Sequence, residues 1–354
     1  MRGKRLQGLL DSLGEIDGFL VTSLPNLFWL TGFSGSSGVA LVTPKRKVFI
    51  TDFRYQEQSA QELEGWEIVI AQKKLFDELP KLGVFSDSFK LGFETEHLSY
   101  DGYQRLQEVV LKANLIPIKG KVENLKSLKD EGEIGLMKEA AQIADDAFSE
   151  VLGLIRPGAT EIELATEFDY RMRKRGAAKV SFETIVASGW RAALPHALPS
   201  EKEIREGEML IFDFGAKYRG YCSDCTRTVF LGRPDEKQRE IYQLVRRAQR
   251  AGLEGARAGI KASQLDGLSR RIIEEAGYGP NFGHSLGHGV GVSVHEEPRV
   301  SAQSKEILKE GMVVTIEPGV YIPNWGGVRI EDMVIIRREG CEVLTGSTRD
   351  ILQL

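Results

Sequence analysis

The sequence predicts an α+β protein of two domains, and three observations carry that reading. Its 354 residues are enough for about two domains at roughly 150 residues each. Short apolar runs alternate with amphipathic stretches through the first 120 residues, the pattern of a small α/β domain. Beyond them, long helical periodicities are interleaved with strand-like runs at hairpin spacing.

Taken in order, Gly18 to Pro44 carries no charged side chain. A membrane span is set aside there because Pro25 and Asn26 interrupt the apolar run and Gly32 to Gly38 is turn chemistry. Buried strands joined by loops are expected instead. Further strands are expected at 19–21, 39–42, 48–51 and 68–70, and helices near 55–63 and 100–113. The polar stretch Pro117-Ile118-Lys119-Gly120-Lys121-Val122-Glu123 reads as a linker, giving domains at 1–122 and 125–354. A long helix follows, with Ile134, Met137, Ala141, Ala144, Phe148, Val151 and Leu152 on one face and a stop at Pro157-Gly158. Thr160 and Glu163 have capping-box spacing before a helix over 161–175, with Gly176 at its left-handed end. Helices are expected at 235–256 and 264–276, and strands at 209–214, 226–231, 313–316 and 333–336. No repeat or low-complexity segment interrupts this order.

Charge and cysteine usage narrow the function. Lys and Arg number 47 against 51 Asp and Glu, a net charge of −4 and a pI near 5.9, which argues against nucleic acid or anionic lipid as a general partner. Three cysteines leave one unpaired and fit a reducing, cytoplasmic compartment. The basic start, Met1 to Arg5, has only Leu9 and Leu10 before Asp11, so no secretory leader is expected.

Two segments carry acids on facing strands. A turn over Lys217-Tyr218-Arg219-Gly220 sets Asp213 opposite Asp224, and a turn centred on Asn324 sets Glu317 opposite Glu331. Like charges facing each other in apolar surroundings need a shared proton or a cation between them. Of five histidines, three fall in His284-Ser285-Leu286-Gly287-His288 and the following run to His295. A single such histidine usually has a hydrogen-bonding role in a core, but four acids with a clustered imidazole suit two divalent metals.

At these residues the chain resembles the metallopeptidases of the pita-bread, or creatinase/aminopeptidase, fold, especially Xaa-Pro aminopeptidases and prolidases. The matching motifs are Phe212-Asp213-Phe214-Gly215, Ser223-Asp224-Cys225-Thr226-Arg227-Thr228, Gly287-His288-Gly289-Val290-Gly291, Ile316-Glu317-Pro318-Gly319-Val320-Tyr321 and Val328-Arg329-Ile330-Glu331-Asp332. The resemblance spans most of 125–354 and extends to His196, His284, His295, Tyr321 and Arg329. A weaker likeness to the creatinase-type N-terminal domain rests on Trp29 to Phe33 and Thr51 to Tyr55. Cys225 and Ala197 depart from the family pattern, where an aliphatic residue and a glycine are usual; neither is a ligand position.

The resemblance implies a C-terminal pita-bread domain behind a smaller α/β domain, with Asp213, Asp224, His288, Glu317 and Glu331 as metal ligands. It implies two divalent ions, manganese first, with cobalt, zinc or iron as alternatives. The ions would share a water and present it as hydroxide to the carbonyl of an Xaa-Pro bond. Glu317 would handle the proton, His284 and His295 would stabilise the oxyanion or position the residue after the cut, and His196 and Arg329 would orient substrate and carboxylates. Tyr321 joins this catalytic set, and Thr226 is a candidate hydrogen-bond donor to a ligand. The implied substrate is a small proline-containing peptide, and the implied assembly a homodimer whose first domain helps close the site and limits substrate length. A bond before proline lacks the amide hydrogen that peptidases gripping an extended backbone require, so a dedicated pocket has a use.

The expected activity is removal of the first residue by an Xaa-Pro aminopeptidase, with a prolidase acting on dipeptides as the alternative. A metal-independent creatinase-type amidinohydrolase and a non-catalytic binding protein both predict eroded ligands, and the set is intact. Cys222 and Cys225 have Cys-x-x-Cys spacing but sit on an expected strand, facing opposite ways, with no second pair. Arg246, Arg247, Arg250 and Arg257 read as a solvated helix face, His97 as a surface residue, and Gly35 to Gly38 as a plain loop.

Overall fold

The computed structural model describes residues 2–354 and contains two compact units, the first ending at Lys126 and the second spanning Ser127–Leu354. The first unit opens with α1 (Arg2–Asp11), β1 (Gly18–Val21), α2 (Leu24–Thr31), β2 (Val39–Val42) and β3 (Lys47–Asp52). It continues with α3 (Gln56–Glu62), β4 (Glu67–Ala71), β5 (Lys90–Glu94), α4 (Tyr100–Val109), β6 (Asn114–Ile118) and α5 (Lys121–Lys126). The sheet order is β4-β3-β2-β1-β5-β6, with β1, β2 and β3 antiparallel and β4, β5 and β6 added parallel. Every residue of β1 and β2 is buried, which explains their unbroken apolar runs: covered on both faces, they have no polar alternation.

Two expectations change here. The stretch after β1 is not strand and loop throughout but holds α2, because Pro25 falls in the helix's first turn, where its missing N–H costs nothing, and Gly32 closes the helix at φ 86°. The polar stretch 117–123 is not free linker: Pro117 ends up inside β6, an edge strand that tolerates it, and α5 follows at once.

The second unit is two helix-pair-and-sheet halves. The first half holds α6 (Glu131–Leu152), α7 (Glu161–Lys174), β7 (Lys179–Val180), β8 (Ile185–Ser188), β9 (Met209–Phe214), β10 (Ala216–Tyr218), β11 (Tyr221–Cys222) and β12 (Cys225–Phe230). The second holds α8 (Glu236–Gly255), α9 (Ala262–Glu275), β13 (Gly287–Gly289), β14 (Glu296–Val300), β15 (Val313–Ile316), β16 (Gly319–Ile322), β17 (Gly326–Arg329), β18 (Asp332–Ile336) and β19 (Cys341–Val343). The strand β20 (Leu352–Gln353) returns to the first sheet, whose order is β20-β12-β9-β8; the second sheet runs β14-β13-β15-β18-β19. Capping boxes at Asp130/Glu133 and Thr160/Glu163 start α6 and α7. α6 stops at Leu152, a turn before the Pro157-Gly158 stop expected for it.

Strand period decides what each face does. In β9, Leu210, Phe212 and Phe214 enter the core beneath α6 and α7, while Met209 and Ile211 enter the core shared with α8 and α9. Asp213 is in step with Met209 and Ile211, so it lies on the face turned toward the second half. In β15, Val314 and Ile316 join the α8/α9 core, which leaves Thr315 and, just beyond the strand, Glu317 on the opposite face. Among the described residues, no helix is long and apolar enough to cross a membrane.

Candidate metal centre

Between the two halves the acids and imidazoles converge. Asp224, His288 and Glu331 each offer a ligand atom, all within 4.8 Å of one another. His288 Nε2 lies 3.5 Å from Asp224 Oδ2 and 3.4 Å from Glu317 Oε1. Asp213 faces the same group across β9, one carboxylate oxygen on Arg329 at 2.6 Å. Its other oxygen, Oδ1, is buried without a hydrogen-bond partner.

The routes by which the strands deliver these acids differ from the expectation in one hairpin. Asp213 pairs with Thr226, and Asp224 lies beyond the end of β12. The turn is the two-residue Arg219-Gly220, flanked by Tyr218 opposite Tyr221, not a four-residue loop. Both turn residues have positive φ, 45° and 90°, the type I′ geometry that matches strand twist, and it shifts the register by one residue along each strand. In that register Asp224 falls opposite Gly215, on the same face as Asp213 and diagonal to it, and the strands approach so closely there that a Cβ on Gly215 would meet the Ser223 carbonyl oxygen at 2.0 Å. In the second hairpin, β16 pairs with β17 and β15 with β18 in the register that a turn centred on Asn324 requires, and Asn324 adopts φ 62°. Glu317 and Glu331 lie in the gap between those two ladders.

Crowded carboxylates with little water hold their protons. Burial, then the charges of Glu331 and Asp213, raises Asp224 well above the usual carboxylate range; burial and Glu317 do the same to Glu331. Glu317 is pushed up to about 8, chiefly by burial. A cation reverses that balance. The donor set also fits one: His288 Nδ1 is 3.0 Å from the Gly289 carbonyl, so that nitrogen carries the hydrogen and Nε2 presents a lone pair. Burial holds the ring neutral, as a ligand must be. Together with the unpartnered Asp213 Oδ1, the five residues have the hard oxygen and imidazole chemistry of a divalent metal site.

A buried guanidinium organises the surroundings. Arg329 donates to Asp213 Oδ2 at 2.6 Å, the Tyr321 hydroxyl at 2.7 Å, Thr226 Oγ1 at 2.9 Å and the Pro195 carbonyl at 3.1 Å. Thr226 passes its own hydrogen to Glu331 Oε2 at 2.6 Å, the ligand contact expected of it. Thr315 plays the matching part for Glu317 at 3.2 Å. The sequence reading missed it, although a threonine two residues before an acid in a strand shares its face.

The histidines divide. His284 Nδ1 bonds the Ser285 carbonyl at 2.8 Å and Nε2 the Tyr321 hydroxyl at 3.0 Å. Burial, then the charge of Arg329, lowers its pKa to about 3, so the neutral ring accepts from Tyr321 and both nitrogens are engaged. His295 is exposed, its ring centroid 4.4 Å from that of His288. His196 is exposed on the loop whose Pro195 carbonyl binds Arg329. His97 pairs with Glu123 in the first unit at 3.0 Å, and all three cysteines are free thiols.

The chain matches two family models: metallopeptidase family M24 over residues 135–338, and the creatinase/prolidase N-terminal domain over 2–127. It is 39% identical to the Xaa-Pro dipeptidase of Pyrococcus horikoshii over 357 residues, covering 99% of this chain and 98% of that one. A solved Xaa-Pro dipeptidase from Bacillus anthracis superposes with a TM-score of 0.95 at 45% identity over the whole of both chains. A solved X-Pro aminopeptidase from Thermotoga maritima gives 0.90 at 38% identity, over 99% of this chain and 100% of that one.

Proposed function

The chain belongs to metallopeptidase family M24, and from that premise we propose that it hydrolyses the Xaa-Pro bond of small peptides, with dipeptides as its principal substrates. The observation that carries this reading is the convergence of four carboxylates and a neutral imidazole between the halves of a pita-bread fold. Asp213, Asp224, His288, Glu317 and Glu331 would hold two divalent cations, manganese being our assignment for so oxygen-rich a set. When bound, such cations lower the pKa of a water and polarise the scissile carbonyl.

The protein's own groups do the rest. The Glu317 carboxylate takes a proton from the attacking water and returns it to the proline nitrogen as the carbon–nitrogen bond breaks. His295, whose ring is exposed beside His288, donates to the carbonyl oxygen as it gains charge. His284 accepts from Tyr321 and so fixes that hydroxyl rather than donating to substrate. Arg329 orients Asp213 directly and Glu331 through Thr226, and His196 lines the approach.

The preference for dipeptides rests on the full-length likeness to Xaa-Pro dipeptidases and on an exposed arginine. Arg299 bonds Ser285 Oγ at 2.8 Å on the wall of a cavity of about 260 Å³ that also includes His284 and Arg270, where a guanidinium suits a free C-terminal carboxylate. The likeness to an X-Pro aminopeptidase supports the second reading, release of the first residue from longer peptides. We further read the enzyme as a cytoplasmic homodimer with domains at 1–122 and 125–354, on the family resemblance and three unpaired thiols. The test is hydrolysis of a matched Xaa-Pro dipeptide and Xaa-Pro-Yaa tripeptide by metal-stripped protein, with and without manganese. Metal-dependent cleavage confined to the dipeptide is expected. Cleavage of the tripeptide as well moves the assignment to the aminopeptidase, and cleavage of neither removes it.

A further inference from the structure

His295 forms no side-chain hydrogen bond among the described residues, so apart from its contact with the His288 ring the position of its imidazole is set by the path of its backbone. That path is the loop between β13 and β14, and one carboxylate organises it. Glu296, the next residue, folds back so that Oε1 accepts from the Ser293 amide at 3.0 Å. Its Oε2 lies so close to Gly291 that a Cβ there would meet it at 2.5 Å. The loop is also held by the Cys222 amide on the Gly291 carbonyl at 2.8 Å and by Lys217 Nζ on the Val292 carbonyl at 2.5 Å.

Glu296 Oε2 is met at 3.2 Å by Lys129 Nζ, and the two side chains are only 2% and 1% exposed. Lys129 comes from a distant part of the chain, just before α6, where its own amide bonds the Gly311 carbonyl at 2.9 Å. A carboxylate buried this deeply is tolerated only with its countercharge in place; removing one partner leaves the other uncompensated. Without Lys129, Glu296 loses the buried countercharge at Oε2 and is weakened as the acceptor that holds the Ser293 amide. When the Ser293 amide loses that acceptor, the loop loosens at its His295 end while the Cys222 and Lys217 contacts still hold its start.

We propose that Lys129 is a positioning residue for the peptidase reaction, acting through Glu296 to hold His295 against the scissile carbonyl. The inference rests on the function proposed above. The Lys129 ammonium meets the Glu296 carboxylate, and its effect passes through one loop. Losing it costs the same step that losing His295 costs.

Two readouts test this: a spectrum of the metal-free protein, because paramagnetic manganese broadens the resonances of nearby rings, and kinetics of the manganese-loaded protein. The first is a histidine ¹H–¹⁵N spectrum, tractable because the chain has five histidines. Lys129→Met shifts the His295 resonances and leaves His97 unmoved, and adding Glu296→Gln, which keeps the acceptor for Ser293 and removes the stranded charge, moves them back. The second is a kinetic cycle. K129M lowers kcat/KM by about 10- to 100-fold in the wild-type background, as a supporting-group loss does, and by less than twofold in His295→Ala. K129M/E296Q recovers most of the loss and, lacking a stranded charge, keeps the cycle measurable if K129M folds poorly. Equal losses in both backgrounds, or unmoved His295 resonances, overturn the proposal. Moved resonances in a protein that hydrolyses no Xaa-Pro peptide uphold the tether on His295 and overturn the function instead.

Discussion

Arg329 is a buried cation with three side-chain partners, and the site depends on how it shares them. Because its planar fork reaches Asp213, Tyr321 and Thr226 at once, a lysine cannot replace it. Arg329→Lys is expected to lower kcat by about 10- to 100-fold, the usual effect of removing a ligand's support, with steady-state kinetics as the check. Thr226→Val removes the hydrogen bond to Glu331 and should weaken metal binding by about tenfold, measured by calorimetry. Glu317 carries a pH signature. Its folded pKa of about 8 lies above the usual 4.5, so the metal-free fold binds the extra proton and loses stability as pH rises through that interval. His284, lowered from 6.5 to about 3, works the other way, its contribution disappearing as pH falls below 6.5. The carboxylates therefore govern the window from 6.5 to 8. Melts of metal-free protein should drop in Tm across it, melts of Glu317→Gln should drop less, and the manganese-loaded protein should be nearly flat.

At the scale of elements, the β9–β12 hairpin depends on two glycines for different reasons. Gly215→Ala drives a Cβ onto the Ser223 carbonyl and should cost at least about 2 kcal/mol while scattering the Asp213–Asp224 pair. Gly220→Ala, at φ 90°, should cost about 1 kcal/mol and leave metal binding intact. Denaturant unfolding with a metal titration separates the two. This hairpin also shows where sequence reasoning reached its limit. The strands, their inward faces and the acids were readable from period and composition, but the register depended on whether Lys217 to Gly220 formed a four-residue loop or Arg219-Gly220 a two-residue turn. A non-glycine residue at positive φ leaves little trace in sequence. The second hairpin was readable because Pro323-Asn324-Trp325-Gly326 announces its own centre. Helices α6 to α9 were legible from their apolar stripes and caps, whereas α2 was masked by a proline read as a breaker. The acids and the histidine cluster were legible as suited to metals, but the choice of His288 and the joining of both acid pairs with it in one set were legible only through motif resemblance, because these residues lie far apart in sequence.

Over the whole molecule, the centre gathers Asp213 and Asp224 from one half of the second unit and His288, Glu317 and Glu331 from the other. Cations that bind only the folded arrangement stabilise it by mass action, about 2.7 kcal/mol at a hundredfold excess over Kd. Chelation should therefore lower Tm in a manner reversed by manganese, and Asp224→Ala should abolish that response along with hydrolysis; calorimetric melts with and without chelator measure both.

The proposed ligand set, split between the halves, would also make the centre a clock. Each sheet can form while the complete constellation is still missing, since neither half owns more than three of its members. In a refolding experiment, the moment of tight manganese uptake would mark the docking of one half on the other, whereas far-ultraviolet dichroism would report the earlier growth of helices and strands. A lag between the two signals would time the last assembly step of the catalytic unit without any label attached to the protein.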